Sequence, residues 1–285
     1  MRWKGRRRSS NIEDRRGARG RRGLIGGGIG TLVVLLFAAY TGVDPNLLLR
    51  GLESVSVQGG SPEPLPAELA NDPGAEFTAV VLADTEEVWE SVFASLGRRY
   101  EPPTLVLYTG STRSACGLGQ AAMGPFYCPA DRRIYIDLGF FDELSRRFAA
   151  PGDFARAYVI AHEVAHHVQN LLGVSSEIRR QQQQAGNSAA ANRLSVRLEL
   201  QADCLAGVWA QRADRLHAII EAGDVEEALN AASAIGDDRL QRQSGNVVAP
   251  DSFTHGTSEQ RVRWFRAGLE SGDPGSCDTF SNRAM

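Results

Sequence analysis

Apolar and polar positions divide the chain into a basic arm, an uncharged run, a loop-rich stretch and a long periodic domain. Residues 24–43 read LIGGGIGTLVVLLFAAYTGV, twenty positions without a charge. As a helix rising about 1.5 Å per residue, such a run crosses about 30 Å of hydrocarbon. One transmembrane helix is therefore expected over 23–43. Phe37, Ala38, Ala39 and Tyr40 offer no small-x-small cleavage pattern, so an uncleaved anchor is expected rather than a signal peptide. Residues 44–75 carry Asp-Pro, Ser-Pro-Glu-Pro and Asp-Pro-Gly, which punctuate rather than pack, and read as a linker.

From residue 76 onward the patterning becomes that of a folded domain. Val80, Val81, Val88, Val92, Phe93 and Leu96 recur at helical spacing over 77–96. Residues 104–108 predict a short strand, and the alternation of RIYIDL predicts another over 133–138. A helix is expected from a cap at Asp153 to Leu172, stopped by Gly173, and a further one over 192–213. The sum is an α+β domain over 76–285, mostly helical, with a small sheet.

Charge changes the picture at one end only. Residues 1–22 hold ten basic side chains against Glu13 and Asp14, a charge of +8, which leaves −11 for the rest of a chain whose net charge is −3. A body that binds nucleic acid is disfavoured. Because Arg and Lys mark the cytoplasmic flank of a span, the arm is expected inside a bacterial cell, gripping anionic headgroups, with everything after residue 43 outside the cytoplasm. There Cys116 and Cys128 could close a disulfide loop or remain two buried thiols, and Cys204 could be a small buried hydrophobe; spacing alone decides neither.

The candidate chemistry lies in His162-Glu163-Val164-Ala165-His166. Positions i and i+4 share one helix face, so both imidazoles can reach a single Zn²⁺ while Glu163 flanks it. His167 points about 100° away and cannot join them. A catalytic zinc keeps three protein ligands and one open position. Glu199 and Asp203, four residues apart among Leu, Ala, Cys and Trp, are costly there unless ligated or paired. Glu199 is the expected third ligand. Asp203 is expected beside it, accepting the free N–H of His162. Ala202, Ala206 and Gly207 are expected to let this helix approach the first.

These segments, with TGSTRSACGLGQAAMGPFYCPADRRIYIDL, EEALNAASAIGDDRLQ and DSFTHGTSEQRVRWF, resemble the putative neutral zinc metallopeptidases of bacteria, over roughly residues 90–280. More distantly they are similar to the gluzincin peptidases, with H-E-x-x-H followed by E-x-x-x-D. The resemblance implies a membrane-tethered, predominantly helical, zincin-like domain, with Glu199 as metal ligand and Asp203 as its neighbour. Thr254-His255-Gly256-Thr257-Ser258-Glu259-Gln260-Arg261 looks like the T-H-P-x-T-E-x-R segment of HtpX-type membrane metallopeptidases, with Gly256 in place of proline. That likeness implies a place for His255 near the substrate oxyanion.

The expected function is peptide-bond hydrolysis by a zinc-activated water, with Glu163 as general base and His255 as a second catalytic donor. The expected partners are a peptide or protein substrate and membrane lipid. The strand over 133–138 is expected to hold an extended substrate by main-chain pairing. The alternative from another class is a non-hydrolytic, zinc-stabilised envelope binding module, which has no need of Glu163.

Overall fold

The computed structural model of the chain describes residues 1–16, 72–245 and 247–281. The apolar run 24–43, and the linker as far as residue 71, lie outside them. Among the described residues no helix is long and apolar enough to cross a membrane.

Asp72 caps the first helix, α1 (Pro73–Ser95), by accepting from the N–H groups of Gly74 and Ala75, with Pro73 where its missing N–H is harmless. The linker's last residues thus belong to the domain. Helix α1 is buried on almost every side from Phe77 to Phe93, polar Thr78, Asp84, Thr85 and Glu86 included. Part of its cover comes from the chain's own beginning. Trp3 and Ser9 are buried, and Ile12–Asp14 forms strand β1, parallel to β2 (Thr104–Tyr108).

The main sheet runs β1-β2-β6-β5, with β6 at Arg133–Asp137 and β5 at Phe126–Cys128. Strands β1, β2 and β6 are parallel and β5 is antiparallel to β6. A separate hairpin pairs β3 (Ser111–Ser114) with β4 (Gly117–Gln120). The period of two sends Leu105, Leu107, Ile134 and Ile136 into the main core. Val106, Tyr108 and Tyr135 form a smaller cluster with Cys128 on the opposite face.

Helix α2 (Gly139–Arg146) leads to α3 (Asp153–Leu171), which is buried along most of its length. Asp153 is the first residue of α3 rather than its cap. Its carboxylate accepts from Trp3 Nε1 at 2.9 Å, and Glu227 takes the expected role by accepting from Phe154 N at 3.0 Å. Gly173, at φ +84°, ends α3 as expected and opens α4 (Val174–Gln183). The long helix α5 (Ser188–His217) packs against α3 and, more closely, against α8 (Ser258–Ser271). A Cβ on Gly207 would fall 2.1 Å from Phe265 O, and one on Gly268 would fall 1.9 Å from Cys204 O. Gly207 therefore serves the contact with α8, not the expected contact with α3. Helices α6 (Asp224–Ala234) and α7 (Asp237–Gln243) complete the helical layer. Cys116 pairs with Cys128, and Cys204 is tied to Cys277 rather than being a lone buried thiol.

Candidate metal centre

Helix α3 supplies His162, Glu163 and His166, and α5 supplies Glu199 and Asp203. Where the two helices meet, one donor atom each from His162, His166 and Glu199 lies within 4.8 Å of the others. His162 Nε2 is 3.1 Å and His166 Nε2 3.4 Å from Glu199 Oε2. All three ligands expected from the sequence therefore converge.

The other nitrogen of each imidazole is engaged. A carboxylate only accepts, so His162 Nδ1 donates to Asp203 Oδ1, at 2.9 Å. The amide of Gln169 is oriented by donating through Nε2 to Leu198 O at 2.7 Å and Gln201 Oε1 at 3.1 Å. Its oxygen is thereby turned to accept from His166 Nδ1 at 2.9 Å. Both Nε2 atoms face the shared space, as histidine ligands must. Two nitrogens, one carboxylate oxygen and outer partners for both rings fit a zinc ion.

Asp203 is fully buried and has more partners than the sequence suggested. It accepts from Tyr158 OH at 2.5 Å, from Arg261 Nε at 2.8 Å and from Arg261 Nη2 at 2.9 Å, besides His162. Burial pushes its carboxyl up, but the charges of Arg261 and His162 outweigh this and hold it at about 2. Burial likewise pulls His162 down, and Asp203 with Glu199 overrides it, raising the imidazole to about 10. Glu199 is driven up by burial and held well below the usual carboxylate range by His166 and His162. Glu163 differs. Its carboxyl is raised, because burial exceeds the opposing charges of His166 and His162.

A cavity of about 670 Å³ reaches this cluster, lined among others by Phe126, Tyr127, Phe140, Phe148, Glu163 and His255. The sequence brought His255 forward by likeness alone; the structure puts it in this cavity wall. Its Nδ1 lies 3.0 Å from Thr254 Oγ1 and 3.3 Å from Asp237 Oδ1. Asp237 Oδ2 also accepts from the N–H groups of Thr254 at 2.7 Å, His255 at 2.6 Å and Gly256 at 3.0 Å. Gly256 sits at φ +91°, which the ring of a proline forbids, so this turn differs from that of the T-H-P segment. Thr257 and Gln260 make the expected capping box at the start of α8.

The chain matches the family model "Putative neutral zinc metallopeptidase" over residues 1–280. It belongs to this family. The match begins at residue 1, so the arm falls inside it, contrary to the expected extent of the resemblance. The chain is similar to the uncharacterized protein YpfJ of Escherichia coli K12, 53% identical over 98% of this chain and 99% of that protein. The uncharacterized protein Rv2575 of Mycobacterium tuberculosis is 43% identical over 67% of each. No solved structure matches the chain.

One feature alters the expected picture of the site, and one agrees with it. Strand β6 lies between β2, which pairs with it over Arg133–Asp137, and β5, which pairs with it over Arg133–Tyr135, so most of its edges are taken up within the sheet; the sheet edge beside the cavity is β5. His167 faces away from the cluster. It donates through Nε2 to Glu101 O at 2.6 Å and accepts from Tyr127 OH at 3.0 Å.

Proposed function

We propose that the domain is a zinc-dependent peptidase in which His162, His166 and Glu199 hold the metal and Glu163 is the general base. The observation that carries this reading is the convergence of three ligand atoms, each imidazole oriented through its second nitrogen, at the wall of an open cavity that Glu163 also lines. Zinc bound there would polarise a peptide carbonyl and bring the pKa of a coordinated water to about 7.

Glu163, its carboxyl raised by burial, accepts a proton from the attacking water and returns it to the leaving amine. Asp203 keeps His162 in the tautomer that leaves Nε2 free. His255, which lines the same cavity and meets Asp237, is the proposed donor to the developing oxyanion, a contribution of about 3 kcal/mol in other sites. The edge of β5 offers main-chain groups to an extended substrate. Membrane lipid remains, in this proposal, the partner of residues 24–43. A metal site that serves only to stabilise a binding module would be closed by a fourth protein ligand; among the described residues this group has three members, and it opens on a cavity.

Glu163→Gln is the test. The variant should retain zinc, measured by metal analysis, and lose chelator-sensitive cleavage of a peptide panel. Turnover at the wild-type rate overturns the assignment.

A further inference from the structure

The charge pattern sends residues 1–22 to the cytoplasm and the metal domain to the other side of the membrane. The structure joins them. Arg6 Nη1 is 2.7 Å from Asp84 Oδ2, the latter almost wholly buried on α1. Ser9 is buried and donates to Glu86 Oε1. Trp3 packs edge-on against Phe77 and donates to Asp153, the first residue of the helix that carries the histidines. Strand β1 adds a parallel ladder, Ile12 opposite Leu105 and Asp14 opposite Leu107.

These are contacts of about 3 Å, whereas the hydrocarbon core of a bilayer is about 30 Å thick. A chain that passed through a bilayer once between residues 16 and 72 would hold β1 and β2 on opposite faces and break every one of them. The two ends of that interval also meet, since the guanidinium of Arg16 is paired with the carboxylate of Asp72. Among the described residues, Arg6, Arg7 and Arg16, three of the arginines on which the positive-inside expectation rests, face carboxylates. Arg6 has Asp84, Arg7 has Glu86 and Arg16 has Asp14 and Asp72.

We propose that the basic arm, residues 1–16, is a structural part of the metal domain and lies on the same face of the membrane as that domain. The chain is then not a single-pass protein with its two ends in different compartments. The disulfides Cys116–Cys128 and Cys204–Cys277 place the shared compartment outside the cytoplasm.

Ser10→Cys on the arm and Glu259→Cys on α8, made singly in the full chain, put an exposed thiol on each part. Spheroplasts of Escherichia coli producing each variant are treated with a membrane-impermeant maleimide before and after lysis, with the wild-type chain as background. Both thiols should react before lysis. If both react only after lysis, the shared face stands and the placement outside the cytoplasm falls. If one reacts before lysis and the other only after, the proposal is overturned. Trp3→Ala supplies a second reading on the purified chain: a melting temperature lowered by several degrees is expected, and an unchanged one overturns the seating of the arm.

Discussion

Arg261 closes Nε and Nη2 on the two carboxylate oxygens of Asp203, and the carboxylate so held receives Nδ1 of His162. Guanidinium and carboxylate are both buried, so each is tolerable only with the other present. Arg261→Leu leaves Asp203 buried without its cation, a loss of about 3–5 kcal/mol of stability by urea unfolding. Zinc affinity should fall about 10–100-fold in a chelator competition titration. The double variant Arg261→Leu/Asp203→Leu removes both charges and should recover much of the stability but none of the affinity, because His162 has then lost its acceptor. Affinity restored with stability would show that the ring needs no orientation by Asp203.

The features that were legible in the sequence are local ones. His162 and His166 share a face by helix geometry alone, and Glu199 and Asp203 stand out because acids are expensive in an apolar helical run. Arg261 is marked in the sequence only as the arginine that closes the T-H-P-x-T-E-x-R likeness, with no role attached to it. It lies in the segment Arg261-Val262-Arg263-Trp264-Phe265-Arg266, where spacing gives no reason for one arginine to be buried. Its partner is 58 residues away on another helix. The seating of the arm was not legible for the same reason: Arg6 and Arg7 meet Asp84 and Glu86 on α1, beyond any local pattern. Asp237 serves His255 across 18 residues, and Cys204 meets Cys277 across 73; both follow from packing, which periodicity does not report.

Gly268 shows how closely α8 must approach α5 for Arg261 to reach Asp203. A methyl there meets the backbone oxygen of Cys204, which cannot turn aside as a side chain would. Gly268→Ala should therefore separate the helices, with a loss of about 1–3 kcal/mol or more. Since α8 carries Arg261, zinc affinity should weaken in the same variant although residue 268 touches no ligand. A stability loss with unchanged zinc affinity would uncouple the helix contact from the metal site.

His167 gives the fold a pH dependence of its own. Burial lowers its imidazole to about 4, only partly offset by the hydrogen bond to Glu101 O. In the unfolded chain the same group titrates near 6.5. As pH falls below about 6.5 the unfolded state takes up a proton that the folded state refuses until about 4, so stability present at neutral pH drains away across that window. The shift corresponds to about 3 kcal/mol at full effect. His167→Gln should be less stable than wild type at pH 7.5 but lose less on going to pH 4.5, by urea unfolding of the metal-free protein. Parallel losses in the two proteins would assign the acid sensitivity elsewhere.

Asp237 and His255 act as one unit, because a single carboxylate gathers three successive backbone N–H groups and also meets the imidazole between them. Removing it leaves the turn without its acceptor, at a cost of about 1–3 kcal/mol. Asp237→Ala should leave zinc content unchanged, since neither residue belongs to the metal-binding group. If His255 donates to the oxyanion, Asp237→Ala and His255→Ala should lower kcat for peptide cleavage to a similar extent with little change in KM. The double variant should be scarcely worse than either single one, since residues of one hydrogen-bonded unit are not additive. Asp237→Asn keeps an acceptor for the N–H groups and loses the charge, so it should recover stability before it recovers rate. Rates that fall independently in the two single variants, and multiply in the double, would show that Asp237 supports the turn without orienting the imidazole for chemistry.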